Sequence, residues 1–298
     1  MRVCELTPGQ EIDLVLMVRA HERGRLVLGD RTGTLEALPQ DGAAPGGCVR
    51  VTGRVESRGR LRLESVRPAE PHEYALEDLL DGPRTPVERM EADMRELVAT
   101  VQCHHLRALL ERLLGPGSGT WLAFRAAPAA KRYHQAYRHG LLEHSLTVAQ
   151  GVSAISATFG GVDRDVAVTG ALLHDIGKLD AYTADPLAID LTDAGRLQGE
   201  IALGYYRVRR TIEELPGFPP ELAAAVLHII LSHHGQLEHG SPVVPCTREA
   251  TLVHMIDNLG GRLGSFDRLE KELQEGASWS GYDRALGGGA WFGSRAAA

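Results

Sequence analysis

The sequence predicts a multidomain β plus all-α chain, in which a small antiparallel β-barrel precedes an all-helical domain. Two observations predict this fold class. Between residues 10 and 67, apolar and polar side chains alternate with period two, and glycine and aspartate interrupt the alternation at short intervals. From Val87 onward the apolar positions recur every three or four residues, as they do along an amphipathic helix. The first part is therefore expected to be β-structure and the second part helical.

The β part divides into five short strands separated by turn residues. The expected strands are 11–18, 25–28, 34–38, 49–55 and 61–66. Five strands in so short a segment are typical of an OB-like barrel, a fold that in many proteins binds single-stranded nucleic acid. We therefore predict an OB-like β-barrel over residues 1–70. Arg50 and Arg54 are placed to line a binding groove, although a solvated sheet face explains them equally well.

Three further segments follow the barrel. Proline, glutamate and aspartate dominate residues 71–86, and this composition predicts a linker. Residues 87–270 are predicted to form the helical domain. Its expected helices are 87–114 as one or two helices, 141–159, 165–175, 200–215, 220–234 and 247–263. Residues 271–298, with three consecutive glycines, are predicted to be a loosely ordered Gly-rich tail.

The composition is that of an ordinary globular protein. Of the 298 residues, 24% are charged and 43% are hydrophobic, and no run of 18 apolar residues is available to cross a bilayer. The N-terminal residues include Glu5 where a secretory signal would need an apolar core, so we expect a cytoplasmic protein without membrane contact. The four cysteines form no CxxC pair, which argues against a disulfide framework or a thiolate zinc site.

The net charge of −7 argues at first against a nucleic-acid partner, because phosphate binding needs a cationic surface. The distribution of the charge weakens this argument. Residues 1–67 carry eleven arginines against nine acidic residues, a local charge of +2, whereas residues 68–100 carry three arginines against nine acidic residues, a local charge of −6. Most of the negative charge therefore lies in one short stretch, and nucleic acid is not excluded.

Histidine and acidic residues concentrate in the helical part. Nine of the 13 histidines lie between residues 134 and 254. In the segment 171–178, Ala-Leu-Leu-His-Asp-Ile-Gly-Lys, an apolar helix brings His174 and Asp175 to its end. A buried imidazole or carboxylate without a partner costs about 1–3 kcal/mol, and a metal ion can supply the partner. Other candidate ligands in the helical part are His144, Glu200, His233, His234 and Asp257.

These segments resemble the HD-domain metal-dependent phosphohydrolases, and within them the YhaM-type 3′-to-5′ exoribonucleases. The stretches that carry the resemblance are 127–131, 140–144, 171–178, 229–235, 240–243, 249–250 and 254–259. They occur in the family's order, and the resemblance covers nearly the whole chain. The resemblance implies an N-terminal OB-fold joined to a C-terminal HD domain, and a hydrolase that acts as a metal-dependent phosphodiesterase.

The resemblance also implies the metal ligands. For a first ion they are His144, His174, Asp175 and Asp257, and for a second ion they include His233 and His234. The remaining position in the family is usually a histidine after glycine, and here it is Glu200. Because a carboxylate also ligates Mn²⁺, Fe²⁺ or Zn²⁺, Glu200 either completes a more negative two-metal site or has turned away and leaves one ion. We expect one or two divalent ions, Mn²⁺ first, with Fe²⁺, Co²⁺, Ni²⁺ and Zn²⁺ as alternatives.

The implied reaction is hydrolysis of a phosphodiester by a metal-activated water. His174, Asp175 and Lys178 are the expected catalytic residues, with Asp175 as the bridging carboxylate. Lys178 and Lys131 are candidates for phosphate contacts because the chain has only three lysines, although a lysine at a helix C-terminus also satisfies the last carbonyls. With Arg50 and Arg54 they complete the expected substrate-binding set.

Three functions remain open on the sequence alone. The first is a 3′-to-5′ exonuclease of single-stranded RNA, with DNA as an alternative, whose barrel guides the strand. The second is an HD phosphohydrolase of mononucleotides or cyclic nucleotides, and the third is a nucleic-acid-binding protein with a degenerate metal site. Residues 1–72 contain no Phe, Tyr or Trp, which removes the usual base-stacking surface from the barrel. Aromatic residues in the tail could stack bases or form the contact of a homo-oligomer.

Overall fold

A computed structural model describes residues 1–22, 24–38, 47–57, 59–131, 135–183, 185, 189–271, 273 and 276–293. The chain divides into two compact units. Residues 1–82 form most of the first, and residues 83–184 and 189–298 form the second. A five-stranded sheet precedes a helical domain, so the predicted fold class is confirmed.

The first unit is a closed β-barrel. Its strands are β1 (Glu11–Glu22), β2 (Arg25–Asp30), β3 (Gly33–Ala37), β4 (Cys48–Ser57) and β5 (Arg60–Pro68). Around the barrel they follow the order β1-β2-β3-β5-β4, and β4 pairs with β1 to close it. All pairings are antiparallel except that between β3 and β5. This is the small OB-like barrel that the alternation of side chains predicts.

The period-two pattern decides which side chains fill the barrel. Along β4, Val49, Val51 and Val55 are buried, while Arg50 and Arg54 alternate with them on the outer face. Branched aliphatic side chains suit this pleated, half-buried surface. The outer arginines are therefore held at fixed positions on a rigid sheet.

The segment predicted as a linker over residues 71–86 is packed against the barrel in its first half. A short helix, α1 (Leu76–Leu79), buries Leu79, whose carbonyl accepts a hydrogen bond of 2.6 Å from Arg19 Nη2. Glu73 accepts hydrogen bonds from both Arg50 and Arg67. Glu73, one of the acidic residues whose frequency predicts a linker, is thus the ion-pair partner of two arginines of the barrel.

The second unit consists of helices around one apolar core. They are α2 (Val87–Ala99), α3 (His104–Leu114), α4 (Trp121–Ala126), α5 (Gly140–Ser156), α6 (Arg164–Leu173), α7 (Lys178–Ala181), α8 (Asp193–Gln198), α9 (Glu200–Glu213), α10 (Pro220–Ser232) and α11 (Arg248–Lys271). The long helices agree with the predicted ones to within a few residues, except that α11 runs eight residues past the predicted end. Helices α4, α7 and α8, each no longer than six residues, have no clear period in the sequence.

The C-terminal segment is more ordered than its glycine content predicts. Trp279 pairs with Trp291 in an antiparallel bridge, and Asp283 pairs with Gly288. Asp283 is buried and also accepts a hydrogen bond of 2.5 Å from Arg268 on α11. The described residues 276–293 therefore include a hairpin that is tied to the last helix, in place of the expected loose tail.

Candidate metal centre

Five helices of the second unit bring the predicted ligands together. His144 lies in the first half of α5, and Asp257 lies near the middle of α11. His174 and His233 are the C-terminal caps of α6 and α10, and Glu200 is the first residue of α9. The last turns of α6 and α10 are apolar and largely buried, so their C-terminal ends deliver polar groups into the interior.

A glycine contact fixes the start of α9 beside the end of α6. Gly177 packs directly on the backbone of Glu200 and Gly204, so closely that a Cβ at position 177 would overlap both. Gly204 in turn lacks a side chain on the facing surface of α9. The pair lets the backbone of α9 approach the His-Asp turn, and this approach places Glu200 next to the ligands of α6.

The first group of side chains is compact. His144 Nε2 lies 3.2 Å from His174 Nε2, 3.2 Å from Asp175 Oδ2 and 3.1 Å from Asp257 Oδ1. His174 Nε2 lies 3.3 Å from Asp175 Oδ2. The ligand atoms of His144, His174 and Asp257 all lie within 4.8 Å of one another, which is the spacing that one metal ion needs.

A second group continues from the other oxygen of Asp175. His233 Nε2 is 3.5 Å from Asp175 Oδ1, and the rings of His233 and His234 have centroids 4.4 Å apart. His234 Nε2 is 3.5 Å from Glu200 Oε1. Glu200 therefore faces the cluster and has not turned away from it. The two oxygens of Asp175 point to the two groups.

The imidazoles share one orientation. The Nδ1 atoms of three histidines face backbone carbonyls, at 2.7 Å for His174, 2.8 Å for His233 and 2.9 Å for His234. His144 Nδ1 faces Gln135 Oε1 at 3.0 Å. A carbonyl oxygen can only accept, so each Nδ1 carries a proton, and in the neutral form of each ring Nε2 presents its lone pair to the cluster. This is the tautomer in which imidazole binds a metal through Nε2.

Charges in the cluster shift several pKa values. Burial lowers the pKa of His144, but hydrogen bonds to Asp175 and Asp257 outweigh it and raise that pKa to about 9. Burial raises the pKa of Asp257, whereas the His144 contact holds the net pKa below its ordinary value. For Glu200, burial also raises the pKa, and Lys178 and His234 bring it below the usual range. Burial raises the pKa of Asp175 too, but Lys178 and His174 hold it well below its ordinary value, so all three carboxylates of the cluster are ionised at neutral pH.

The residues fit a divalent metal. Three buried or half-buried carboxylates face two cations, Lys178 and the protonated His144 of the metal-free protein, so the cluster keeps an excess of negative charge that a metal cation would neutralise. His233 Nε2 is fully buried and has no hydrogen-bond partner among the described residues. A buried acceptor aimed at a carboxylate is costly unless a cation lies between them. Mixed imidazole and carboxylate donors suit Mn²⁺, Fe²⁺ or Zn²⁺.

The predicted substrate-binding residues are placed differently from one another. Lys178 lies in the cluster, with Nζ 2.7 Å from Asp175 Oδ2. Lys131 pairs with Asp190 at 2.6 Å. In the barrel, Arg50 binds Asp13 at 2.7 Å and Glu73 at 2.8 Å, and Arg54 Nε donates to the Gly9 carbonyl at 3.0 Å. Of the four, only Lys178 contacts a predicted ligand.

Two residues near the cluster have no signal in the sequence. Gln135 is buried and hydrogen-bonds His144. Tyr182 lies beside Glu200, and burial together with that carboxylate raises the pKa of its hydroxyl to about 12. Neither residue belongs to a ligand type or to a recognisable spacing, so only the folded arrangement identifies them.

This arrangement agrees with the comparisons to known proteins. Residues 141–261 match the HD domain family. The proteins named 3′-5′ exoribonuclease YhaM are 28% identical in Bacillus subtilis (strain 168) and 27% identical in Bacillus pumilus (strain SAFR-032), over 90% of this chain and 90% of theirs. The chain is similar to these proteins along most of its length. A third, from Geobacillus sp. (strain WCH70), is 27% identical over 90% of this chain and 87% of its own.

The YhaM resemblance and the HD domain expected from the sequence are thus confirmed. Two solved structures match only part of the chain. The S. pombe Stn1–Ten1 complex and the telomere capping protein Ten1 each match 32% of this chain, and 84% and 89% of their own, at 18% identity and a TM-score of 0.21. A TM-score this low does not show a shared fold. Of the helices in the described ranges, none has the length and apolarity needed to cross a membrane.

Proposed function

We propose that the protein is a metal-dependent 3′-to-5′ exoribonuclease that hydrolyses single-stranded RNA, with single-stranded DNA as a further substrate. The HD domain and the YhaM-type homologues support a hydrolase of phosphate esters. The choice of RNA, and of the 3′ end, rests on the names of those homologues. The side chains of the cluster supply the chemistry that such a reaction needs.

The observation that carries the proposal is the position of Asp175. One oxygen of this carboxylate faces His144 and His174, and the other faces His233, so a single residue joins the two groups. A shared carboxylate of this kind is suited to hold two divalent ions a short distance apart. We assign His144, His174, Asp175 and Asp257 to a first ion, and Asp175, Glu200, His233 and His234 to a second, with Mn²⁺ as the preferred metal.

When bound, the ions would lower the pKa of a coordinated water and neutralise charge on the phosphoryl oxygens. The chain itself performs the remaining tasks. Burial of His174, Asp175 and His233 keeps bulk water away from one side of the cluster and strengthens the electrostatic interactions there. Lys178 keeps Asp175 ionised and holds a positive charge next to the place where a phosphate would sit. His174 donates from Nδ1 to the Ala171 carbonyl, which orients its ring towards the site.

The contribution of the barrel is part of the proposal. Arg50 and Arg54 lie on its outer face, yet Arg50 is already held by two carboxylates, which reduces the charge it offers to phosphate. Since the barrel has no aromatic residues, electrostatics alone must guide a strand there. This observation keeps a second function in view, namely hydrolysis of mononucleotides or cyclic nucleotides.

One assay separates the two functions. Purified protein with Mn²⁺ is incubated with RNA labelled at the 3′ or the 5′ end and, separately, with bis(p-nitrophenyl) phosphate. Release of single labelled nucleotides from the 3′ end and progressive shortening of the 5′-labelled strand support the exoribonuclease. Hydrolysis of the small ester without loss of RNA supports the second function, and no hydrolysis of either contradicts both.

A matched pair of variants on one helix controls the assay. Asp257 belongs to the cluster, whereas Asp267 lies farther along α11 and pairs with Arg84 at 3.2 Å. Asp257→Asn is expected to lose activity by at least about 100-fold, because it removes a charged ligand. Asp267→Asn is expected to leave activity unchanged. Equal activity in the two variants would refute the assignment of Asp257.

A further inference from the structure

The turn before α5 contains an unusual backbone conformation next to the cluster. Among the described residues, only two that are not glycine have a positive φ, Gln135 at 61° and His139 at 71°. Residues with side chains avoid this left-handed region, and such conformations persist only where the surrounding structure enforces them. Both lie within ten residues of His144, so the strained backbone immediately precedes the helix that carries this candidate ligand.

The surrounding contacts show how the turn is held. The Gln135 carbonyl accepts a hydrogen bond of 3.1 Å from the Ala129 N–H. Gly140, the first residue of α5, packs so tightly on that carbonyl that a Cβ would overlap it. The His139 ring approaches the Arg125 carbonyl at 2.6 Å. Contacts at both Gln135 and His139 therefore hold the turn in this conformation.

What this turn presents to the cluster is one side chain. Gln135 is 5% exposed, and its Oε1 lies 3.0 Å from His144 Nδ1. The other three imidazoles of the cluster are oriented by backbone carbonyls, which no substitution removes. The orientation and tautomer of His144 depend instead on a second side chain, whose position depends on the strained turn.

We propose that Gln135 is the positioning residue of the first metal site, which it serves by accepting the Nδ1–H of His144 and so directing the Nε2 lone pair into the cluster. This inference rests on the proposed metal centre and adds to it a residue that is not a ligand. Acceptors of this kind orient ligand histidines in metal sites, and their loss typically weakens metal binding by about 10–100-fold.

The test measures Mn²⁺ binding to the metal-free, full-length protein by isothermal titration calorimetry, without substrate. Gln135→Leu keeps the approximate size of the side chain and removes the acceptor. Its affinity for the first Mn²⁺ is expected to fall about 10–100-fold. Gln135→Glu keeps an acceptor at the same reach and is expected to restore affinity to at least the wild-type value.

A control outside the cluster separates positioning from the general effect of replacing a glutamine by leucine. Gln102→Leu makes the same change at an exposed glutamine whose side chain donates to the Thr100 carbonyl, so its Mn²⁺ affinity is expected to match the wild type. Thermal unfolding of each metal-free variant shows whether it is folded before titration.

Several outcomes overturn the inference. One is a folded Gln135→Leu variant that binds Mn²⁺ as tightly as the wild type, and another is a Gln135→Glu variant as weak as Gln135→Leu. A Gln135→Leu variant that does not fold, paired with a Gln135→Glu variant that folds but binds weakly, also overturns it. If the wild type binds no Mn²⁺, the metal centre fails together with this inference. If it binds Mn²⁺ but does not cleave RNA, only the proposed substrate fails.

Discussion

The contact between Gly177 and α9 leads to a prediction whose size follows from the structure. A Cβ added at Gly177 would lie 2.9 Å from Gly204 Cα and closer still to Gly204 N and the Glu200 carbonyl oxygen. Ordinary van der Waals contacts of a Cβ are 3.4–4 Å. Since all three atoms belong to backbone, no side-chain rotation relieves the overlap, and the shortest contact, 2.0 Å to the Glu200 carbonyl oxygen, requires the start of α9 to move by about 1 Å or more.

Overpacking of this kind costs about 1–3 kcal/mol. In a domain of this size each kcal/mol lowers the unfolding midpoint by about 2–4 °C, so Gly177→Ala is expected to lower it by about 2–12 °C. The displaced segment carries Glu200. The variant's affinity for the second metal ion should therefore fall below that of the wild type, and its affinity for the first ion should change less. Differential scanning fluorimetry and Mn²⁺ titration measure the two effects.

The matched control is the same substitution on the other side of the contact, Gly204→Ala. A Cβ at Gly204 would lie 3.1 Å from Gly177 N and 3.4 Å from Gly177 Cα, an overlap of a few tenths of an ångström. Alanine also favours the helix over glycine by about 1 kcal/mol, which offsets this small strain. Gly204→Ala is therefore expected to be close to neutral. A Gly177→Ala protein with unchanged stability and unchanged Mn²⁺ binding would show that the contact does not position Glu200.

Three further predictions concern the cluster. Asp175→Asn should reduce binding of both ions, because it weakens the one carboxylate that faces both groups; loss of a single ion, measured by metal analysis, would contradict the shared role. Glu200→Gln should weaken the second ion and leave the first unchanged, and calorimetry that shows equal weakening of both would count against the assignment. The third concerns pH. The pKa of His144 rises from 6.5 to about 9 in the folded protein, so its proton stabilises the metal-free protein fully below pH 6.5 and this contribution is lost as the pH rises through 9. Because ligation requires neutral imidazole, Mn²⁺ affinity should increase over the same interval, and an affinity independent of pH between 6.5 and 9 would contradict this.

Much of the fold follows from local patterns in the sequence. Alternation predicts all five strands of the barrel, and the 3.6-residue period predicts the long helices, because each element buries one face. The pattern is less informative at the ends. Helix α11 continues through Gly260 and Gly261 to Lys271, where Leu269 is buried, so tertiary packing overrides the glycines that suggest an end near residue 263.

In the candidate site, too, local patterns predict one part of the arrangement and tertiary packing decides the rest. Residue types and order single out the ligand candidates, and the structure places them side by side, but the orientation of Glu200 depends on the close approach of Gly177 to α9. Lys131 illustrates the opposite case. It is a plausible phosphate contact by type, yet it pairs with Asp190, which lies 59 residues away in the chain. Long-range pairing of this kind has no local signal, and neither does the strained turn at Gln135.

The central claim, that the cluster holds divalent metal, is tested most directly by crystals grown with Mn²⁺ and an anomalous difference map recorded at the manganese absorption edge. We expect one peak at coordination distance from His144, His174, Asp175 and Asp257, and a second at coordination distance from Asp175, Glu200, His233 and His234. A map with no peak at these side chains, at a Mn²⁺ concentration that supports activity, would contradict it.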